Sequence, residues 1–459
     1  MAFNDINSQA LGNLLQIKFS DGIRNQISKD FRDWEMVLKS KVSNSAAREL
    51  RFMLLTAFGV DAVSYANPGQ LDSAFPSADR STLSEYTAKF KEIRTTIEVQ
   101  YDLFERAIQS PEKYGEPIKV EMDSKLSASK RRLAADFHAD GTGVLATTAA
   151  AAPTAIVAGQ VVVTLSQANA TRGHAGLFEF AQRVVHTTAA GAAGTAPTIA
   201  SGTFSHWVVV AKNRDAQTVT LQAVNTAGAS VATTVAGIAV DQLIYRKAQS
   251  DNSDIPNLSG AVADYGTVSQ VMAGLPSLLA ADGRVIHGIT MSGALAATAY
   301  DAGGNPIDVR HIQRGMSQVK VAVGQDQYSW KMMVQAPETL DALIESRETD
   351  RRFNTMEDAT KGTKKFMYQH QNDALECYTS EYCQPKRIYI IPESKAGQKV
   401  LEFHGSDFKT VKAPGGSDFM LKPSASGFVA TVVSYMQAIG VVIAKHPASC
   451  LVISNFTNA

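Results

Sequence analysis

Between Lys89 and Tyr101 the chain alternates. Ile93, Thr95, Ile97, Val99 and Tyr101 fall on one side, and Glu92, Arg94, Thr96, Glu98 and Gln100 on the other. A period of two is that of a half-buried strand, here about 33 Å long and polar along one face. From Pro117 the period changes. Ile118, Met122, Leu126, Leu133 and Phe137 share one helical stripe, which predicts a helix over Pro117–His138, also about 33 Å long. Asp140-Gly141-Thr142-Gly143 is its stop. A two-stranded arm of that length has little stability alone. The apolar face Ile93, Ile97, Val99 and Tyr101 is therefore expected to rest on another copy of the chain. A strand face burying roughly 300–400 Å² of apolar surface would contribute about 8–10 kcal/mol gross, before association and ordering losses.

The pattern before this stretch predicts helices. Ile23, Ile27, Phe31, Trp34 and Leu38 make one stripe, and Leu50, Met53, Leu54, Ala57 and Phe58 another, ended by Gly59. Tyr65 to Ser84, with Asn67-Pro68-Gly69 and Phe75-Pro76, has the composition of an exposed loop. After Gly143 the composition shifts. From Val144 to Val240 the charged residues are only Arg172, Glu179, Arg183, Lys212, Arg214 and Asp215. Strands are predicted over 156–165, 207–211 and 218–223, and the whole of 144–250 reads as an inserted β-rich domain, a sandwich or barrel. Trp207, Phe178, Phe180 and the valine runs supply its core.

Beyond Asp251 helix and strand signals mix. Val268, Val271, Met272 and Leu275 predict a short helix, Val285 to Met291 a strand, and Val309, Ile312, Met316 and Val319 a helix. Trp330, Met332 and Val334 alternate, and Pro337 opens a helix over Glu338–Arg347. Arg387–Ile391 is a strand expected to end at Pro392, and Gly427–Ala444 and Cys450–Ile453 are the closing strands. The class is α+β.

Composition narrows the function more than it names it. With 459 residues the chain holds two to four domains. Its 44 basic and 44 acidic residues cancel, so no global field draws it to nucleic acid or an anionic membrane. Three cysteines, Cys377, Cys383 and Cys450, are too few for a disulfide framework and point to a reducing compartment. The first residues lack the basic and apolar regions of a signal peptide. Phe428 to Ala444 is at the lower length limit for a membrane span and carries Thr431, Ser434, Gln437 and Gly440, so a buried strand explains it better.

Candidate chemistry is thin. Cys377, Cys383, His370 and His404 hold zinc-binding atoms, but a C-x5-C spacing departs from the usual gap. His174, His186 and His206 lack a ligand spacing. The glycines around Ser292 are misplaced for a nucleophile elbow, and Ala413-Pro414-Gly415-Gly416-Ser417 lacks the Lys-Ser/Thr of a phosphate loop. Lys130, Arg131 and Arg132 sit late in the long helix, where cations suit its dipole. They read as a solvated face or as a DNA-facing cluster. No reaction, metal or cofactor is supported, and the chain is not expected to be an enzyme.

Taken in order, these elements resemble the major capsid proteins of tailed bacteriophages, the Hong Kong 97-type fold. The likeness rests on the strand Lys89–Tyr101, the helix Pro117–His138 with its glycine stop, and Met272-Ala273-Gly274-Leu275 followed by Asp282-Gly283-Arg284-Val285-Ile286-His287-Gly288. Pro337-Glu338-Thr339, Arg387-Ile388-Tyr389-Ile390-Ile391-Pro392-Glu393 and Lys445-His446-Pro447-Ala448 extend it. The resemblance implies an N-terminal arm at 1–64, an E-loop at 65–101, and a P-domain at 102–143 with Pro117–His138 as spine helix. The insertion 144–250 departs from the minimal fold. A P-domain continuation at 251–325, an A-domain at 326–440 and C-terminal strands at 441–459 would follow. It further implies hexamers and pentamers in an icosahedral shell around double-stranded DNA held by non-specific contact. A separate scaffolding protein, a portal protein and a decoration protein are the implied partners, with no membrane. Assembly would occur in the host bacterial cytoplasm and the product would be the virion. An encapsulin-like nanocompartment and a tail-fibre or adhesin β-protein are the alternatives.

Overall fold

The structure, a computed structural model, describes residues 37–41, 49–57, 82–102, 105, 111–149, 154–157, 159–166, 173–187, 194–199, 202–232, 238–247, 271–280, 283–323, 328–346, 367–370, 373–394, 399–411, 420–424 and 427–458. The first strands are β1 (Val37–Lys41), β2 (Glu49–Ala57), β3 (Thr82–Lys89) and β4 (Lys91–Gln100), followed by helix α1 (Pro111–Phe137). Then come β5 (Val144–Thr147), β6 (Thr154–Val157), β7 (Gln160–Thr164), β8 (Arg183–Thr187), β9 (Phe204–Asn213), β10 (Thr218–Asn225) and β11 (Leu243–Arg246). A short hairpin, β12 (Val285–Ile286) and β13 (Ile289–Thr290), precedes β14 (Thr298–Asp301), helix α2 (Val309–Val323), β15 (Tyr328–Gln335) and helix α3 (Pro337–Glu345). The last strands are β16 (Met367–His370), β17 (Asp373–Thr379), β18 (Arg387–Ser394), β19 (Leu401–Val411), β20 (Met420–Ser424), β21 (Gly427–Ala444) and β22 (Leu451–Ser454).

β21 organises the first sheet. Its 18 residues reach about 60 Å. β4 runs antiparallel along residues 431–440 of it. Val432 and Val433 pair with β20 as well as with β4, and 435–437, 439 and 440 pair with β19 as well as with β4. A strand has two edges, so β19 and β20 must follow one another along the edge opposite β4. β1 closes this sheet, parallel to β19.

A second sheet has the order β14-β22-β18-β15-β17-β16. Alternate residues of its strands enter different cores. Met333, Ile388, Ile390, Leu451 and Ile453 pack with Ile312, Met316 and Val319 of α2. Val334, Tyr389, Ile391 and Val452 join the core beneath α1. A sheet covered on both faces is what near-continuous apolar strands require. Gly315 lets α2 approach closely, since a β-carbon there would lie 2.7 Å from Leu451.

Residues 144–247 form a third sheet, β5-β11-β8-β9-β10-β7-β6. It curls until its strands meet: Ala149 N donates to Thr164 O and Ser166 N to Thr147 O, both at 2.8 Å. Trp207, Phe178, Leu177, Val209 and Leu221 fill the interior, whereas Phe180, expected there, is 80% exposed.

Several expectations are corrected. Glu49–Ala57 is a strand, not a helix, and Leu38 lies in β1; Ile23, Ile27, Phe31 and Trp34 lie outside the described residues. α1 begins at Pro111, six residues before the expected start, and runs through Pro117. The run 271–274 is not helical; only Leu275–Leu278 makes a helical turn. Val285 to Met291 is a hairpin, because His287 (φ 52°) and Gly288 (φ 85°) make the two-residue turn whose twist suits paired strands. β18 continues through Pro392, where an irregularity between Trp330 and Met332 absorbs the missing donor. α2 belongs with the second sheet, and β19, β20 and β21 belong with β4 in the first.

Candidate functional site

The strand expected to clasp a neighbour is instead built into its own subunit. Ile97 is fully buried and Val99 nearly so, with Ile93 and Tyr101 packed beside them. The alternation was real and its polar side faces solvent, but the apolar side is covered by α1. Met122, Leu126, Leu133 and Phe137 supply that cover, and the side chain of Ile118 lies outside the described residues. Ser129, on the same stripe, bonds the Thr95 hydroxyl across the contact. The sequence reading missed Ser129 because a hydroxyl carries no hydrophobic signal.

The basic cluster splits. Lys130 is only 4% exposed, whereas Arg131 and Arg132 are exposed. Three consecutive helical residues span 200° of the helix circumference, so they cannot share one face.

An extended arm exists elsewhere. β2 and β3 pair antiparallel from Glu49↔Lys89 to Ala57↔Thr82 and form a two-stranded sheet by themselves among the described residues. Nine residues carry the ribbon about 30 Å. Its base is fixed where Tyr86 and Ala88 pack with Val441 and Ile443 of β21, Ile289 and Leu295. The His287 ring meets Tyr86 edge-on at 5.2 Å. On the exposed side Arg51 reaches Glu85 at 3.7 Å across the ribbon, a pair that adds little. Residues 58–81, most of the expected loop, lie outside the described residues.

The end of α1 is the junction of all three sheets. Gly141 takes φ +77°, and a β-carbon there would lie 2.8 Å from Ala273 Cα. The Asp140 carboxylate accepts from Thr142 N at 2.9 Å and from its hydroxyl. Ser277 Oγ donates to Asp140 O. Gly274 approaches so closely that a β-carbon would lie 2.4 Å from Phe137 O and Ala139 O. These are the contacts behind the Met272–Leu275 motif.

Ala134, Ala135 and Ala139 turn the last helical turns toward the inserted sheet. Arg246 Nη1 sits 2.6 Å from Asp136 Oδ1, both largely buried. On the far side Arg214 Nε lies 3.0 Å from Glu338 Oε1 of α3. His174 Nδ1 accepts from Gly176 N, which leaves Nε2 to donate to Tyr382 O at 3.0 Å. Burial first, then Arg214, pushes its pKa down to about 3, so the ring stays neutral. Burial, then Glu381 and Glu179, raises the Tyr382 hydroxyl above its ordinary value. The insertion is thus tied to both other sheets. Asp136→Ala should strand Arg246 without its carboxylate and cost about 3 kcal/mol, read as a lower denaturant midpoint; an unchanged midpoint would show the pair to be idle.

The remaining candidates are dispersed. Cys383 is buried under α1 while Cys377 packs in the α2 core, and His404 Nε2 lies 3.0 Å from Glu402. Among the described residues no group of three His, Cys, Asp or Glu is placed to hold a metal. Ser292 precedes a 3-10 turn. No helix among them is long and apolar enough to cross a membrane.

No protein-family model and no curated protein matches the chain. Solved structures do. The chain is similar to the capsid asymmetric unit of cyanophage A-1(L), at 8% identity and a TM-score of 0.44, covering 92% of this chain and 90% of that one. It is similar to the capsid of the native GTA particle, at 10% identity and a TM-score of 0.41, over 92% and 89%. It is also similar to the SrpI encapsulin complex from Synechococcus elongatus PCC 7942, at 7% identity and a TM-score of 0.39, over 100% and 98%.

Proposed function

We propose that this chain is a shell-forming subunit, the major capsid protein of a tailed bacteriophage, and that its role is mechanical. The β2–β3 ribbon carries this reading. Among the described residues it is anchored at its base, on β21 and on Ile289 and Leu295, and offers paired strands with open outer edges. Such a ribbon is poorly stable by itself and gains most by lying on another surface. The long helix α1, buried along β4 and at its end against the inserted sheet, stiffens the β4–β21 sheet from which that arm extends. Hexamers and pentamers follow from head-to-tail contacts that close around a rotation axis.

Scaffolding, portal and decoration proteins are the partners this role calls for. Packaged double-stranded DNA would meet exposed side chains such as Arg131 and Arg132 by charge alone. The purified chain, or lysate from its expression, is expected to show closed particles by negative-stain microscopy. Nuclease-protected DNA in native particles supports the phage assignment. Particles filled with protein instead would make the chain an encapsulin-like shell, and a monomer that never closes into rings at high concentration would end the reading.

A further inference from the structure

The chain is neutral overall, yet two helices on one sheet carry opposite charge. α2 holds Arg310, Arg314 and Lys320 and no carboxylate; α3 holds Glu338, Asp341 and Glu345 and no basic residue. Both bury apolar side chains in the same core, Ile312, Met316 and Val319 from α2 and Leu343 from α3. α2 lies over β14 and β22, at one end of the strand order. α3 leaves from β15, and its Leu343 shares that core with Leu375 of β17, toward the other end.

The exposed stripe of α2 includes Arg310 and Arg314, and that of α3 includes Asp341 and Glu345. Each pair has the i,i+4 spacing, about 6 Å along its axis. Both helices also hold a charge at the end that disfavours it. Arg310 is in a first turn that has no acidic residue, and Glu345 is in a last turn that has no basic one. Asp308 reaches Arg310 at 3.6 Å, but both side chains are well exposed and the pair is weak. Glu338 is already engaged by Arg214.

We propose that α2 of one copy docks antiparallel on α3 of a second copy, Arg310 facing Glu345 and Arg314 facing Asp341. The antiparallel arrangement sets each disfavoured charge beside the opposite end of the partner's dipole. The two faces differ and lie on different parts of the subunit, so the contact is heterologous and propagates head to tail. This inference rests on the shell reading for its purpose, but the pairing can be measured without shells.

Sedimentation of the full chain at rising concentration, with microscopy of the same samples, tests it. Arg310→Glu with Arg314→Glu, or Asp341→Lys with Glu345→Lys, should each weaken self-association about tenfold or more. All four changes in one chain should restore it. Thermal melting shows that each variant is folded, as expected for exposed positions. Wild-type shells indifferent to either reversal, or a fourfold variant no better than the doubles, would overturn the pairing and leave the shell reading standing. Charge-dependent small oligomers that never become shells would do the reverse. A strict monomer sinks both. Normal assembly with lost nucleic acid in the Arg310/Arg314 variant would also overturn the pairing and assign that face to phosphate.

Discussion

Ile97→Asp is expected to yield insoluble, unfolded chain rather than a soluble subunit that fails to assemble. Ile97 has no exposed surface and sits between α1 and β21, among Met122, Leu126, Val432 and Met436. A carboxylate there has no counter-charge on its own stripe, where Thr95 and Ser129 are the polar neighbours. Burying it should cost about 4 kcal/mol or more, a large share of a domain's stability. Ile97→Ala removes packing without adding charge and should cost about 3 kcal/mol, measurable as a lower urea midpoint. Gln100→Ala, on the exposed side of the same strand, is the control and should move it by no more than about 0.5 kcal/mol. Soluble Ile97→Asp protein with a native melting curve would show that this face does not belong to the subunit core.

The period of two was legible in β4 because one side of that strand faces water. What covers its other side was not, because the stripe of α1 is equally legible but neither period says that the two apolar faces meet each other rather than another copy. Periodicity reports that a face is buried, never against what. The misreading of β2 has a different cause. In Glu49–Ala57, Leu50, Met53, Leu54 and Ala57 fit a helical stripe, while Leu50, Phe52 and Leu54 fit an alternating one equally well. A short apolar run cannot choose between the periods. Pairing with β3 chooses, and β3 is a non-local element. Where local chemistry decides, the reading held: α2 has a clean stripe from Val309 to Val319, and Pro337 opens α3. The Asp140–Gly143 stop was legible for the same reason. The salt bridge of Asp136 with Arg246 was not, because nothing in a carboxylate's spacing reveals its counter-ion.

Replacing Met53–Glu85 by Asn-Gly is expected to leave a folded, soluble subunit that forms no shells. Phe52 and Tyr86 stand directly opposite in the ribbon, so a two-residue turn can join them without disturbing the pairs below. The side chains that fix the base, Leu50, Tyr86, Ala88 and Phe90, all remain. Among the described residues, none of those replaced enters the cores under α1 and α2 or inside the inserted sheet. The melting temperature should therefore shift by no more than a few degrees, about the effect of 1 kcal/mol in a protein of this size. The loss falls on assembly, because the ribbon's outer reach is where strand pairing with a neighbour would form. Size-exclusion chromatography and negative-stain microscopy read the result against full-length protein prepared in parallel. Shells of normal yield from the shortened chain would mean the ribbon is not the clasp. The subunit contact would then have to come from the sheets themselves, with the charged helices α2 and α3 as the first place to look.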